Sequence, residues 1–209
     1  MFEGVRQLIK NYNVRLKFIF IFLILFLGVA VCVQTGASYN FDWFVYENLC
    51  KIRNVFLNKF MLFITNFGDM VAVIGVAVVS LLISYVFKYK NYCLEILSIS
   101  AFQHICNRVL KSIFQRPRIR EYILVHESSY SFPSGHTMTA VVLWGFIIYI
   151  MSKGKYKKYC FFPLIIILLV GFSRIYLGAH YFTDVLGAGL IGLVILILEI
   201  MFIEAVKKD

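Results

Sequence analysis

The chain has 209 residues, 61% of them hydrophobic and only 15% charged, with a mean hydropathy of +0.81. A water-soluble domain of this length cannot bury so much apolar surface, so a membrane protein is expected. The formal net charge of +10 would suggest nucleic acid in a soluble protein; here it is first a matter of membrane topology, and no nucleic-acid partner is expected.

A bilayer span needs about 20 mostly apolar residues. Residues 16–35, with "FIFIFLILFLGVAVCV", form the first. They are followed by "QTGASYNFDW" rather than a small-residue cleavage site, so the run is expected to stay as a helix. Residues 41–66 alternate aromatics and aliphatics with charges, the pattern of an amphipathic helix lying in the interface. Such a helix can pack at the mouth of a bundle or guide a lipid substrate. Residues 69–87 form the second span, with Asp69 placed to cap it.

Residues 91–110 carry Glu95, Gln103, His104, Asn107 and Arg108, so hydropathy alone ranks them low. Polar groups in a span face the bundle interior or an aqueous cavity, because lipid cannot solvate them. The segment is therefore expected to cross with its polar face inward, His104 included. Residues 135–152 and 159–177 form a pair joined by the basic turn "SKGKYKK", and 183–203 complete the set. The expected fold is a single domain over 1–209: an all-α membrane bundle of six spans with an interfacial helix between the first two. The five cysteines (Cys32, Cys50, Cys93, Cys106 and Cys160) lack metal-ligand spacing and read as free thiols.

Cations set the orientation. With the amino terminus in the cytoplasm, that side holds Arg6, Lys10, Arg15, Lys17, Lys88, Lys90, Lys153, Lys155, Lys157, Lys158, Lys207 and Lys208, twelve of the 21 lysines and arginines. Both termini are thus expected in the cytoplasm. The rule leaves Arg108, Lys111, Arg116, Arg118, Arg120 and Arg174 near the outer face, where topology alone would have none.

Three polar clusters fall on that outer side: "KSIFQRPRIR", "PSGH" and "SRIYLGAHYFTD". Arginine forks match phosphate oxygens, and lysine adds a compact charge. A Pro-Ser-Gly-His corner opening a helix supplies free amides and the positive dipole end, with Ser134 as N-cap and Gly135 allowing close approach. Together they predict an anionic, phosphate-bearing ligand. His180 and Asp184, four apart, share a helix face, where the carboxylate can orient the imidazole as a nucleophile. His136 can serve as general acid.

These strings resemble the type 2 phosphatidic acid phosphatase superfamily, whose relatives include vanadium haloperoxidases. "PSGH" and the complete SR-x5-H-x3-D pattern of Ser173, Arg174, His180 and Asp184 match its second and third motifs. "VHESSYSFPSGH" looks like small bacterial membrane members that handle phosphatidylglycerol phosphate or polyprenyl pyrophosphate. The first motif, usually K-x6-R-P, departs from pattern: counting from Lys111 reaches Arg118, but Ile119 replaces the proline. Arg116, followed by Pro117, is the alternative phosphate contact.

The resemblance implies a lipid phosphatase of a bacterial cytoplasmic membrane with its site facing outward, working without metal or cofactor. His180 would attack phosphorus to form a phosphohistidine, Asp184 would orient it, and His136 would protonate the leaving group. Lys111, Arg118, Arg174, Ser134 and the Gly135 amide would hold the phosphoryl oxygens. Candidate substrates are phosphatidylglycerol phosphate, phosphatidic acid and undecaprenyl pyrophosphate. A phosphotransferase sharing the intermediate and a non-catalytic lipid-phosphate transporter are the alternatives. Haloperoxidase activity is disfavoured by the apolar composition. His126, Glu127 and Glu121 are either solvated loop residues or headgroup selectors. The oligomeric state is not legible.

Overall fold

Backbone that leaves water must satisfy its hydrogen bonds internally, and a helix does so within one segment. The computed structural model describes residues 12–88 and 90–206, which form eight α-helices and no strand. Arg6, Lys10, Lys207 and Lys208, counted above toward orientation, lie outside the described residues. The helices are α1 (Tyr12–Gln34), α2 (Tyr39–Lys51), α3 (Val55–Thr65), α4 (Met70–Phe87), α5 (Cys93–Phe114), α6 (Gly135–Ser152), α7 (Phe161–Tyr176) and α8 (Phe182–Val206). Five of the expected spans are long and apolar enough to cross a membrane; α5 is the polar sixth.

α6 is the hub. Over half of its apolar window (56%) is buried, against 11% for α4, which faces outward along most of its length. Met138, Val142, Leu143 and Phe146 of α6 meet Ile96 and Ile99 of α5 and Ala188, Ile195 and Ile200 of α8. Lipid competes for apolar surface, so packing and polar contacts must hold the helices together. α5 shows how. Ser100, Gln103, Asn107 and Lys111 lie on its buried face. The Thr139 hydroxyl donates to Gln103 at 3.2 Å, and Asn107 Nδ2 donates to the Pro133 carbonyl at 3.2 Å.

His104 departs from expectation. Gln103 and Asn107, four apart, occupy the inner face, so the residue after Gln103 turns about 100° away and is exposed. The interfacial segment also differs, since it is two helices. Asn54, in extended backbone, caps α3 by accepting from the Leu57 amide at 2.9 Å and breaks what the amphipathic pattern reads as one helix. Asp69 caps α4 as expected, accepting from the Met70 amide at 2.7 Å.

At the end of the bundle away from the motifs, Glu204 of α8 binds Arg15 of α1 at 2.7 Å and Lys153 at 3.1 Å, and accepts from Tyr149 of α6 at 2.6 Å. The other end carries all three polar clusters.

Candidate active site

The first cluster begins where α5 stops. Gln115 takes a left-handed conformation (φ +44°), and the chain turns into an irregular loop that returns at Ser131, whose amide donates to the Arg116 carbonyl at 2.9 Å. Lys111, one turn before the helix end, donates to Ser129 Oγ at 3.1 Å and to the Tyr130 carbonyl.

Arg118 points to the same place. It donates to the carbonyls of Ser129 and Ala179 and, at 3.2 Å, to that of Tyr130. Its Nη1 stands 3.4 Å from His180 Nε2. Arg116, the alternative phosphate contact, is engaged elsewhere. Its Nη1 binds Asp184 at 2.6 Å and donates to the Thr183 hydroxyl at 2.8 Å, its Nη2 binds Asp42 at 2.7 Å, and the guanidinium stacks 4.1 Å over the Tyr181 ring. Burial alone would lower its proton affinity, but Asp184 and Asp42 outweigh that and raise it.

Ile119, in the place of the family's proline, is buried against Tyr46 and Tyr181. The departure therefore turns a stiff position into an apolar anchor for the loop.

The second cluster opens α6. Ser134 is fully buried and caps the helix; its hydroxyl accepts from Thr137 Oγ1 at 3.0 Å, and its amide donates to the Asp184 carbonyl at 3.1 Å. Gly135 abuts Asn107: a Cβ there would lie 3.2 Å from Asn107 Oδ1. His136 follows in the first turn, half-buried.

The third cluster closes α7 and opens α8. The Ser173 hydroxyl turns back onto its own helix, donating to the Val170 carbonyl at 2.7 Å. Arg174 donates to Thr65 Oγ1 at 2.7 Å and pairs with Glu127, while its Nε is buried without a protein acceptor. Gly178 (φ +76°) then reverses the chain where a Cβ would sit 2.6 Å from the Tyr46 hydroxyl, so both conformation and space call for glycine.

That reversal presents His180, whose Nδ1 is 3.4 Å from Asp184 Oδ2. Asp184 also accepts from the Ser131 hydroxyl and from the Tyr181 amide at 3.0 Å. Burial pushes His180 well below its ordinary 6.5; Asp184 pulls it upward without prevailing. This favours the neutral imidazole, with the carboxylate at Nδ1 and Nε2 turned toward Arg118. For Glu127, burial would raise the carboxyl, but Arg174, His136 and Arg118 hold it below the usual range as a carboxylate.

An inner cavity of about 250 Å³ brings His136, His180, Lys111, Arg118 and Gly135 onto one wall system, with Glu127 beside them. It adjoins an outer basin of about 980 Å³ lined by Arg120, His126 and Tyr130. Glu121 lies outside both cavities and offers its carbonyl to the Tyr46 hydroxyl at 2.8 Å.

Sequence reasoning missed Asp42, Thr65, Ser129 and Ser131. Asp42 left a faint signal: an acid four residues before Tyr46 shares that residue's helix face, and both are almost fully buried.

The bundle thus brings two histidines and a ring of cations together at one end, a setting suited to a phosphoryl group. The family model "PAP2 superfamily" matches residues 92–208. Phosphatidylglycerophosphatase B of Bacillus subtilis is 34% identical over 194 residues, covering 86% of this chain and 92% of that protein. Lipid phosphate phosphatase delta of Arabidopsis thaliana is 35% identical over 74 residues, covering 32% of this chain and 18% of its own. The crystal structure of the transmembrane PAP2 type phosphatidylglycerolphosphate phosphatase from Bacillus subtilis superposes with a TM-score of 0.83 at 33% identity, covering 90% of this chain and 96% of that one. Aquifex aeolicus LpxE shares the fold, with a TM-score of 0.62 at 21% identity over 75% of this chain and 93% of that one. The chain belongs to the PAP2 superfamily and is a multi-pass membrane phosphatase.

Proposed function

We propose that the protein hydrolyses a phosphomonoester or pyrophosphate carried on a lipid, through a phosphohistidine intermediate, at the extracytoplasmic face. The observation that carries this reading is the placement of the His180 ring between Asp184 at Nδ1 and Arg118 at Nε2, lining a cavity shared with His136. In the first step Nε2 attacks phosphorus in line with the departing oxygen. The P–O bond breaks, and the leaving group takes a proton from His136. In the second step His136 removes a proton from water, which displaces His180 and releases inorganic phosphate.

Asp184 retains the Nδ1 proton and balances the charge that develops on the ring. The 3.4 Å separation is long for a hydrogen bond, and the mechanism has it shorten as charge develops on the ring. Lys111, Arg118 and Arg174, with the Ser134 hydroxyl and the Gly135 amide at the start of α6, neutralise the equatorial oxygens, the dominant contribution in phosphoryl transfer. The buried, unaccepted Nε of Arg174 favours an anion there, since an unmet buried donor costs about 1–3 kcal/mol. The twelve cations expected on the opposite side support the outward orientation.

The test is phosphate release from lipid phosphates in detergent micelles, with EDTA present and His180→Ala as control. Release by the native protein, none by the variant, and an acid-labile phosphoprotein trapped on rapid denaturation are expected. Equal release from the alanine variant would sink the histidine mechanism, and transfer to an added alcohol would identify a phosphotransferase.

A further inference from the structure

We propose that Arg108, assisted by His104, forms a second anion subsite on the lipid side of the catalytic pocket. It takes the phosphoryl group lying between the tail and the reacting phosphoryl group of a doubly phosphorylated lipid. The inference rests on the phosphatase reading and adds a residue-level account of which lipids the site prefers.

Arg108 lies six residues before the end of α5, about 9 Å inside it at 1.5 Å per residue. Its exposed neighbours on that helix, Ile105, Val109 and Ile113, face outward as lipid-facing side chains do. A cation in such a setting is costly and marks a functional path. His104 lies one turn deeper on the same side and is exposed as well.

Both residues line the inner cavity with the two catalytic histidines, and Met70 and Val73 of α4, with Asp69 at that helix's start, line it too. The cavity therefore runs from the reaction centre into the cleft between α4 and α5. A polar track of Lys111, Arg108 and His104 descends along one side of it.

Five residues line both the inner cavity and the outer basin: Arg108, Lys111, Arg118, Glu127 and Ser129. Four of them are bonded within the site: Lys111 and Arg118 to Ser129, and Glu127 to Arg174. Arg108 has no hydrogen bond or ion pair among the described residues, so its five donors are free for a ligand. A lipid with its reacting phosphorus at His180 and its tail in the α4–α5 cleft passes its linking group beside this guanidinium. When that group is a phosphodiester, or the inner phosphate of a pyrophosphate, Arg108 gains an anionic partner. A lipid with one phosphoryl group brings only neutral ester and glycerol oxygens to that position.

The experiment compares dioleoyl phosphatidic acid, dioleoyl phosphatidylglycerol phosphate and undecaprenyl pyrophosphate as substrates of the native protein, Arg108→Gln, Arg108→Lys and His104→Ala. Arg108→Gln is expected to lose roughly tenfold or more in kcat/KM, mainly through KM, on one or both doubly phosphorylated lipids. Its loss on phosphatidic acid is expected to stay within about twofold, and Arg108→Lys should recover part of the selectivity. The lipid that suffers the loss identifies the spacing the subsite reads.

Equal losses on all three lipids, or no loss on either doubly phosphorylated one, overturn the subsite and leave Arg108 as a cation reaching for surface headgroups. Native protein that hydrolyses none of the three overturns the phosphatase reading instead. Binding of the same lipids to His180→Ala protein keeps the two apart. Adding Arg108→Gln should weaken binding of the doubly phosphorylated lipid there without any turnover, and unchanged binding counts against the subsite.

Discussion

Arg116 and Arg118 leave one loop two residues apart, yet the first is engaged by carboxylates and the second by carbonyls and an imidazole. Arg116 is buried with Asp42, Asp184 and Thr183, so its charge is matched before any substrate arrives. Among the described residues, Arg118 has no carboxylate in direct contact. Backbone oxygens fix its direction beside His180, and Glu127 and Asp184 act on its charge only from a distance. Side-chain chemistry is identical in the two cases, so the role of each arginine is set by what the rest of the fold brings to it. One guanidinium is closed within the protein's own ion pairs, and the other is the one the proposed function assigns to an anion.

Substitutions at these positions can break the comparison, and the largest expected effect is on stability. Arg116→Gln strands two buried carboxylates, a loss of about 3–5 kcal/mol. Thermal unfolding should show it, and Asp42→Asn in the same chain should restore part of it. An Arg116→Gln protein with native stability would place Arg116 with the substrate instead.

Arg118→Gln is expected to do the reverse: near-native stability, with kcat/KM for phosphate release lower by roughly 10²–10³. Loss of folding would erase the distinction between the two residues.

Gly178→Ala tests the turn that delivers Arg118's partner. A positive φ in a non-glycine residue costs on the order of 1–3 kcal/mol. Tyr46→Phe removes the hydroxyl that a Cβ would strike, so it should relieve the contact but leave the backbone cost in a melting curve.

The smallest effect is in pH. Burial depresses His180, and the positive charge of Arg118 adds to the depression. The acid limb of kcat/KM set by the nucleophile should lie below 6.5 in the native protein and move upward in Arg118→Gln. A pH-rate profile in which that limb stays fixed or moves down contradicts the assignment. Stability follows the same sign: the unfolded chain binds more protons at His180, so stability is lost as pH falls from 6.5 toward the folded value.

What sequence could reveal follows from how local each signal is. Five spans declare themselves by hydropathy, and α5 by the spacing of Gln103, Asn107 and Lys111. Its polar content also misled, because His104, one residue on from Gln103, leaves the packed face of the helix and lines the accessible cavity instead. The motif residues lie in short strings, and spacing alone favours Arg118 over Arg116. Asp42 left only a faint signal, for the opposite reason. Its partners Arg116 and Thr183 are 74 and 141 residues away, and no local pattern encodes such a meeting. The break at Asn54 had only a single capping residue to announce it.

The distance between Asp42 and its partners also bears on how the protein is made. Synthesis delivers α2 long before Arg116, and Arg116 well before Thr183 and Asp184. Until then Asp42 is a bare carboxylate beside a membrane, and hydrocarbon would exact several kcal/mol for accepting it. The carboxylate that fixes Arg116 and Thr183 in the finished fold is therefore a charge that an unassembled chain would have to keep out of hydrocarbon.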